Sequence, residues 1–271
     1  MVLENCRQEW YDAQKRVKVT MVDVRLAAQS LVSGHLCGPA SAYFLSKAIA
    51  AAALLGSECS KDDETLIIQM KCSGPLGGFN VECTANGTLR GYTEKKILDE
   101  FDTLNFYDDK KIVAERQIQV VRSVPGKILS QGISNSLDGY LAGSLQRKAC
   151  IFLEAAVSEE VKVLEARGLM VEALPDSEWS VTLGTEEVRK AIEQYTAGVL
   201  SASSRNILEK LGLEKAELKN TSPLSFACRC SPDRAAALIS SMSGEERKDL
   251  PSKVDITCHM CGKVFTVSTG N

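Results

Sequence analysis

The chain has 271 residues, 44% hydrophobic and 25% charged, enough for one sizeable core and a smaller companion. A net charge of -3 and an isoelectric point of about 5.6 give no global electrostatic case for binding nucleic acid or an anionic membrane. No apolar run approaches the roughly 20 residues that cross a bilayer, so no membrane partner is expected.

The N-terminal MVLENCRQEW lacks a basic segment followed by an apolar one, so secretion is not expected and the cytoplasm is the expected compartment. In a reducing compartment, ten cysteines point to metal binding or thiol redox chemistry before structural disulfides.

Residues 1–175 read as one α+β core domain with a mixed sheet and helices. VKVTMVDV (17–24) has the β-branched content of a strand. Residues 24–33 form a short helix, with Gly34 as its expected stop. PASAYFLSKAIAAAALLG is the clearest helix, with Pro39 in its first turn and Gly56 at its end. It is apolar nearly all round and is predicted to be buried. Asp62, Asp63 and Glu64 read as a solvated loop. TLIIQMKC (65–72) and FNVEC (79–83) alternate, and Asn86-Gly87 turns the chain into TLRGYT, which predicts an antiparallel meander. QIQVVRS, ACIFLEAAV and GLMVEAL read as further strands, with a helix over 136–146.

Residues 176–222 change character and predict a helical linker. Val188, Ile192, Tyr195 and Val199 recur at helical spacing, and Ile207, Leu208 and Leu211 repeat it in a shorter helix stopped by Gly212. The apolar stripe is thin, so the segment should depend on packing against a neighbour and be marginally stable.

Residues 223–271 form a separate small module. Ser231-Pro232 starts a helix, Ser243 and Glu246 make a capping box, and VDITC and KVFTV are two strands around a Cys-His-Met-Cys-Gly turn. About 50 residues hold too little core to fold securely alone. Cys228 and Cys230 form a CxC, and Cys258 and Cys261 a CxxC followed by Gly262. Two close pairs in one module predict a zinc ion, one per chain, held by Cys228, Cys230, Cys258 and Cys261. Four thiolates leave no open coordination position, so the site is not catalytic and no enzyme activity is expected. His259 is the alternative fourth ligand. Thiolate ligands are also open to oxidation, and loss of the metal should unfold a module that depends on it. Spacing alone leaves a reversible switch and a permanent zinc finger equally open.

Other motifs decide between them. PLSFACRCSPDRAAALISSMSGEERKDL followed by VDITCHMCGKVFTV resembles the C-terminal zinc module of the heat-shock-protein-33 family of redox-regulated holdase chaperones. GPASAYFLSKAIAAAALLG and LIIQMKCSGPLGGFNVECTANGTLRGYT resemble the core helix and strand region of the same family. The chain departs from the family pattern at Leu145, where Glu is expected, and at Ala166-Arg167-Gly168. The resemblance implies an ATP-independent chaperone whose reduced, zinc-bound form is inactive or weakly active. It further implies Cys228–Cys230 and Cys258–Cys261 disulfides on oxidation, zinc release, unfolding of the 176–222 linker and capture of unfolded or oxidatively damaged client proteins. A homodimer is implied for the oxidised form.

The competing reading is a zinc-ribbon module that binds nucleic acid or protein around a permanent metal. Six basic against five acidic residues in 224–271 give it no basic footprint. A thiol-disulfide enzyme would place its CxxC at a helix start rather than between strands. Cys6, Cys37, Cys59, Cys72, Cys83 and Cys150 read as small apolar side chains or inert thiols, with a Cys72–Cys83 bridge as a minor alternative. His35 reads as a hydrogen-bonded structural histidine.

Overall fold

A computed structural model describes residues 4–104, 106–179 and 203–269. Strands are β1 (Cys6–Asp12), β2 (Val17–Asp23), β3 (Thr65–Cys72), β4 (Gly78–Thr84), β5 (Thr88–Thr93), β6 (Arg116–Val124) and β7 (Lys127–Ser134). They continue as β8 (Lys148–Val157), β9 (Val163–Ala173), β10 (Glu217–Pro223), β11 (Ser225–Phe226), β12 (Lys253–Thr257) and β13 (Val264–Ser268). Helices are α1 (Arg25–His35), α2 (Pro39–Leu55), α3 (Asp109–Ile112), α4 (Leu137–Ser144), α5 (Ser204–Lys210), α6 (Pro232–Ser241) and α7 (Gly244–Lys248).

Among the described residues the strands form three sheets. The first runs β10-β1-β2-β9-β8, the second β11-β5-β4-β3-β6-β7, and the third is the β12-β13 hairpin. All pairs are antiparallel except β11 on β5. Helix α2 runs between the two large sheets and packs against strands of both. Ala40, Ala42, Leu45, Ala48, Ile49 and Ala51 through Leu55 are buried, as the all-round apolar sequence requires. By length and composition Pro39–Glu58 would also cross a bilayer, but the fold buries 83% of that window, so it is a core helix. The Asp102 carboxylate caps α2 by accepting from the Ala40 N–H (2.9 Å) and closes its own loop by accepting from the Leu98 N–H (2.8 Å).

A second apolar layer covers the other face of the first sheet. There Trp10, Val19, Met21, Phe152, Leu169 and Val171 meet Ile207, Leu208 and Leu213 from α5 and the turn after it. The short 204–210 helix thus forms where its stripe was predicted, and Gly212 at φ +69° turns the chain out of it. Val188, Ile192, Tyr195 and Val199 lie outside the described residues.

Several expectations change. The segment read as a helical linker ends in a strand, β10, whose sequence ELKNTSP has no strand signal and pairs mainly through its backbone. Gly34 does not stop α1. The helix continues to His35, and Leu36 takes the left-handed cap at φ 54°, with the Cys37 N–H closing on the Val32 carbonyl (3.1 Å). Gly56 caps α2 as expected, at φ -61° rather than in a left-handed turn, and a Cβ there would lie 2.4 Å from Cys83 Sγ. Glu64 is buried, not solvated, and accepts from the Ser60 N–H at 2.9 Å. A Cys72–Cys83 bridge is excluded by register: Cys83 faces Leu66, six residues and about 20 Å along β3 from Cys72. Of the family departures, Arg167 pairs with Asp23 (3.0 Å), and Leu145 ends α4 and packs on the core.

Candidate metal centre

Two short devices bring the four cysteines together. Cys228 and Cys230 leave β11 just before Ser231 caps α6 by accepting from the Arg234 N–H. Cys258 and Cys261 occupy the turn between β12 and β13. The Cys258 carbonyl accepts from Cys261 (3.3 Å) and Gly262 (2.8 Å), and the Cys258 N–H donates to the Lys263 carbonyl (2.8 Å). Gly262 at φ +74° supplies the left-handed step that this turn needs. The Ser243–Glu246 capping box forms as predicted and starts α7.

The four sulfurs lie within 4.8 Å of one another. Cys228 Sγ is 3.7 Å from Cys258 Sγ, and Cys230 Sγ is 3.5 Å from Cys261 Sγ. Zinc–sulfur bonds of about 2.3 Å in a tetrahedron put sulfurs about 3.8 Å apart, whereas a disulfide holds them at about 2.0 Å. The spacing therefore fits a tetrahedral ion with four thiolate ligands. The module's own core is small: Ala235, Ile239, Phe265 and Val267, with Cys230 and Cys258 packed on it. A core of that size is the kind that a bound metal can supplement.

The electrostatics favour a cation. Burial works against ionising Cys228, but the Cys230 backbone N–H and the Arg90 guanidinium outweigh it and lower the thiol to about 7. Burial and the neighbouring sulfurs push Cys230 and Cys261 upward instead. A divalent ion removes this conflict by balancing charge that the thiols cannot share among themselves.

The module is keyed to the core. Gly34 and Gly262 approach so closely that a Cβ on either would overlap backbone of the other turn, 2.5 Å from the Cys261 carbonyl oxygen and 2.0 Å from the Gly34 carbonyl oxygen respectively. The Gly91 N–H donates to the Met260 carbonyl (3.1 Å). Glu82 joins both sides, accepting from Arg90 (2.6 Å) and from Arg229 (3.1 Å), the residue between the CxC cysteines. Arg90 Nη1 also lies 3.8 Å from Cys228 Sγ. His259 stacks on Tyr92 with ring centroids 4.9 Å apart, and the metal-type cluster consists of the four cysteines. His35 is hydrogen-bonded as expected, its Nε2 3.0 Å from the Gly91 carbonyl oxygen, and burial lowers its basicity. The sequence assigns Gly34 only a helix stop and gives no role to Glu82 or Arg229, and Arg90 enters only as part of an Arg-Gly-Tyr run.

Outside this centre, burial raises the thiols of Cys37 and Cys59 to about 11 and that of Cys83 to about 12, and pushes Cys6 and Cys72 upward. Thiols so shifted are protonated at neutral pH and poor nucleophiles.

Fold and site together define an α+β protein with a C-terminal four-cysteine, metal-type module keyed onto its core. The chain belongs to the Hsp33 protein family, whose model matches residues 8–268. A relative named 33 kDa chaperonin from Geobacillus sp. (strain WCH70) is 26% identical over 246 residues, covering 85% of this chain and 83% of its own. Another of that name, from Thermus thermophilus, is 28% identical over 260 residues, covering 86% and 75%. The crystal structure of a 33 kDa chaperonin from Thermotoga maritima shares the fold, with a TM-score of 0.78 at 17% identity over 98% of this chain and 96% of that one.

Proposed function

We propose that this Hsp33-family chaperone is a redox-switched holdase, in which oxidation of the four cysteines releases zinc and frees apolar surface for unfolding client proteins. Cys228, Cys230, Cys258 and Cys261 hold one zinc ion in the reduced state. On oxidation Cys228 pairs with Cys230 and Cys258 with Cys261. Each disulfide takes two electrons from a pair of zinc-bound thiolates and, with two protons from solvent, reduces one hydrogen peroxide to two waters. The reaction consumes the ligands, so the metal leaves.

The observation that carries this reading is the four sulfurs at tetrahedral spacing on a module with almost no core of its own. A structural zinc contributes on the order of 10 kcal/mol to such a unit, so its loss removes the main support of residues 223–271. The 176–222 linker lies directly upstream. Its α5 has seven residues, too few to persist without packing. Release of α5 uncovers Trp10, Val19, Met21, Phe152, Leu169 and Val171, a contiguous apolar face suited to unfolding chains. Oxidised copies pair into a homodimer, and the site of action is the cytoplasm. No nucleotide is used.

The test is aggregation of a heat-denatured client in the presence of the reduced, zinc-loaded chain or the same chain after peroxide and mild warming. Suppression by the oxidised sample alone is expected. Equal suppression by both, with the metal retained after peroxide, would instead support a permanent zinc module.

A further inference from the structure

Residues 217–227 form one extended run that closes an edge of both large sheets. As β10, residues 217–223 pair with β1, from Cys6↔Pro223 to Tyr11↔Glu217. The Leu224 N–H then donates to the Asn5 carbonyl (2.9 Å) as the chain crosses between sheets. As β11 it pairs with β5: the Ser225 N–H donates to the Gly87 carbonyl (3.1 Å) and the Ala227 N–H to the Leu89 carbonyl (3.2 Å). The remaining contact, from the Gly91 N–H to the Met260 carbonyl, comes from the CxxC turn. The segments closing β5 thus directly precede Cys228 and Cys261, so the β5 edge is tied by the chain itself to the metal site.

The strap is held in an unusual way. Glu217, Lys219, Asn220, Thr221 and Pro223 are exposed, and Glu, Lys, Asn and Pro are poor strand residues. Its grip is mainly the backbone ladder, with one side-chain bond across it, from Asn220 Nδ2 to Glu9 Oε1 (3.3 Å), Leu218 half-buried and Leu224 buried at 4% exposure. Gly87 leaves room for Leu224: a Cβ there would lie 3.4 Å from Leu224 Cδ2 and 2.1 Å from the Pro223 carbonyl oxygen. An edge read mainly through main-chain hydrogen bonds plus one aliphatic socket does not depend on sequence. A segment richer in β-branched residues would pair better than the one now seated.

We infer that the β1 and β5 edges are acceptor strands for extended client segments, that residues 217–227 occupy them as a stand-in in the reduced state, and that the occupant after oxidation is an extended, β-prone stretch of unfolded polypeptide carrying a large aliphatic side chain for the Leu224 socket. This rests on the redox-switch reading above and names the surface that reading leaves open. Bare sheet edges are a template for pairing with any available strand, which is a hazard in most proteins and the useful property in a holdase.

The test is hydrogen exchange of the full chain in three states: reduced and zinc-loaded, peroxide-oxidised, and oxidised with a permanently unfolded, alkylated protein. Peptides covering Cys6–Asp12 and Thr88–Thr93 should exchange about tenfold faster or more after oxidation, and recover most of that protection when the unfolded protein binds. Peptides from β7, the far edge of the second sheet, which touches neither the strap nor the layer under α5, should not follow this pattern. Unchanged exchange on oxidation overturns the inference. So does loss of protection that bound client fails to restore, and in that case the holdase reading stands and the client sits elsewhere. An oxidised chain that captures no unfolded protein overturns the holdase reading and takes this inference with it.

Discussion

Gly34→Ala separates the core from the module in one substitution. Gly34 lies in the last turn of α1, where alanine is the better helix former by up to about 1 kcal/mol, so the core itself should be unharmed or slightly stabilised. The new Cβ, however, would stand 2.5 Å from the Cys261 carbonyl oxygen, about 0.8 Å inside an ordinary carbon–oxygen contact. The obstructing atom is backbone on both sides, so no rotamer relieves it and the turn must move away. That movement stretches the Gly91–Met260 hydrogen bond and the His259–Tyr92 stack. At about 1 kcal/mol for each, docking weakens by about 2 kcal/mol, some thirtyfold in the docking equilibrium. None of the four ligands is touched, so the reduced variant should still bind one metal. Peptides spanning Gly91 should exchange about thirtyfold faster while the core melts at or above the parent temperature. Zinc loss to peroxide should also be faster, since an undocked turn exposes Cys261. Parent-like exchange at Gly91 would refute the claim that this glycine pair sets the docking distance.

Three further perturbations address the same assembly. Cys258→Ser with Cys261→Ser should abolish stoichiometric zinc in the purified protein, and full zinc content would remove these residues from the site. Glu82→Gln should loosen the CxC side; Arg229 is 56% exposed and contributes little, while the more sheltered Arg90 pair accounts for most of about 1–2 kcal/mol, read as roughly tenfold faster zinc loss in peroxide. Burial alone would raise the Glu9 carboxyl, but Lys18 and Asn220 outweigh it and hold it below the usual carboxylate range. Its stabilising contribution is therefore present above the unfolded value, near pH 4.3, and is lost as the pH falls through the lower folded value. Glu9→Gln should accordingly flatten the acid limb of the unfolding profile while lowering stability at pH 7; an unchanged acid limb would show that Glu9 does not link β1 to β10.

What could be read from the residues was what side chains announce. The β-branched runs gave β2, β3 and β9, the apolar 39–55 segment gave α2, and Ser231 and the Ser243–Glu246 pair gave the helix starts in the module. The four cysteines were legible because metal geometry restricts their spacing. Features carried by the backbone were not. β10 is polar and pairs mainly through its main chain, and β1 opens, after Cys6, on a run of three polar residues, Arg7, Gln8 and Glu9. Gly56 is legible as the stop of α2, but a glycine stop is also the local reading of Gly34, which instead answers a close approach from the distant CxxC turn. The Glu82 link between Arg90 and Arg229 joins residues far apart in sequence, and no local pattern marks it.

The central claim is that metal loss and chaperone activation are one event. It is tested most directly by measuring released zinc, remaining free thiols and suppression of client aggregation on the same samples during a peroxide titration. The account predicts one zinc released and four thiols lost per chain, with suppression rising in step with both. Full suppression while the zinc is still bound, or release of the zinc with no gain in suppression, would contradict it.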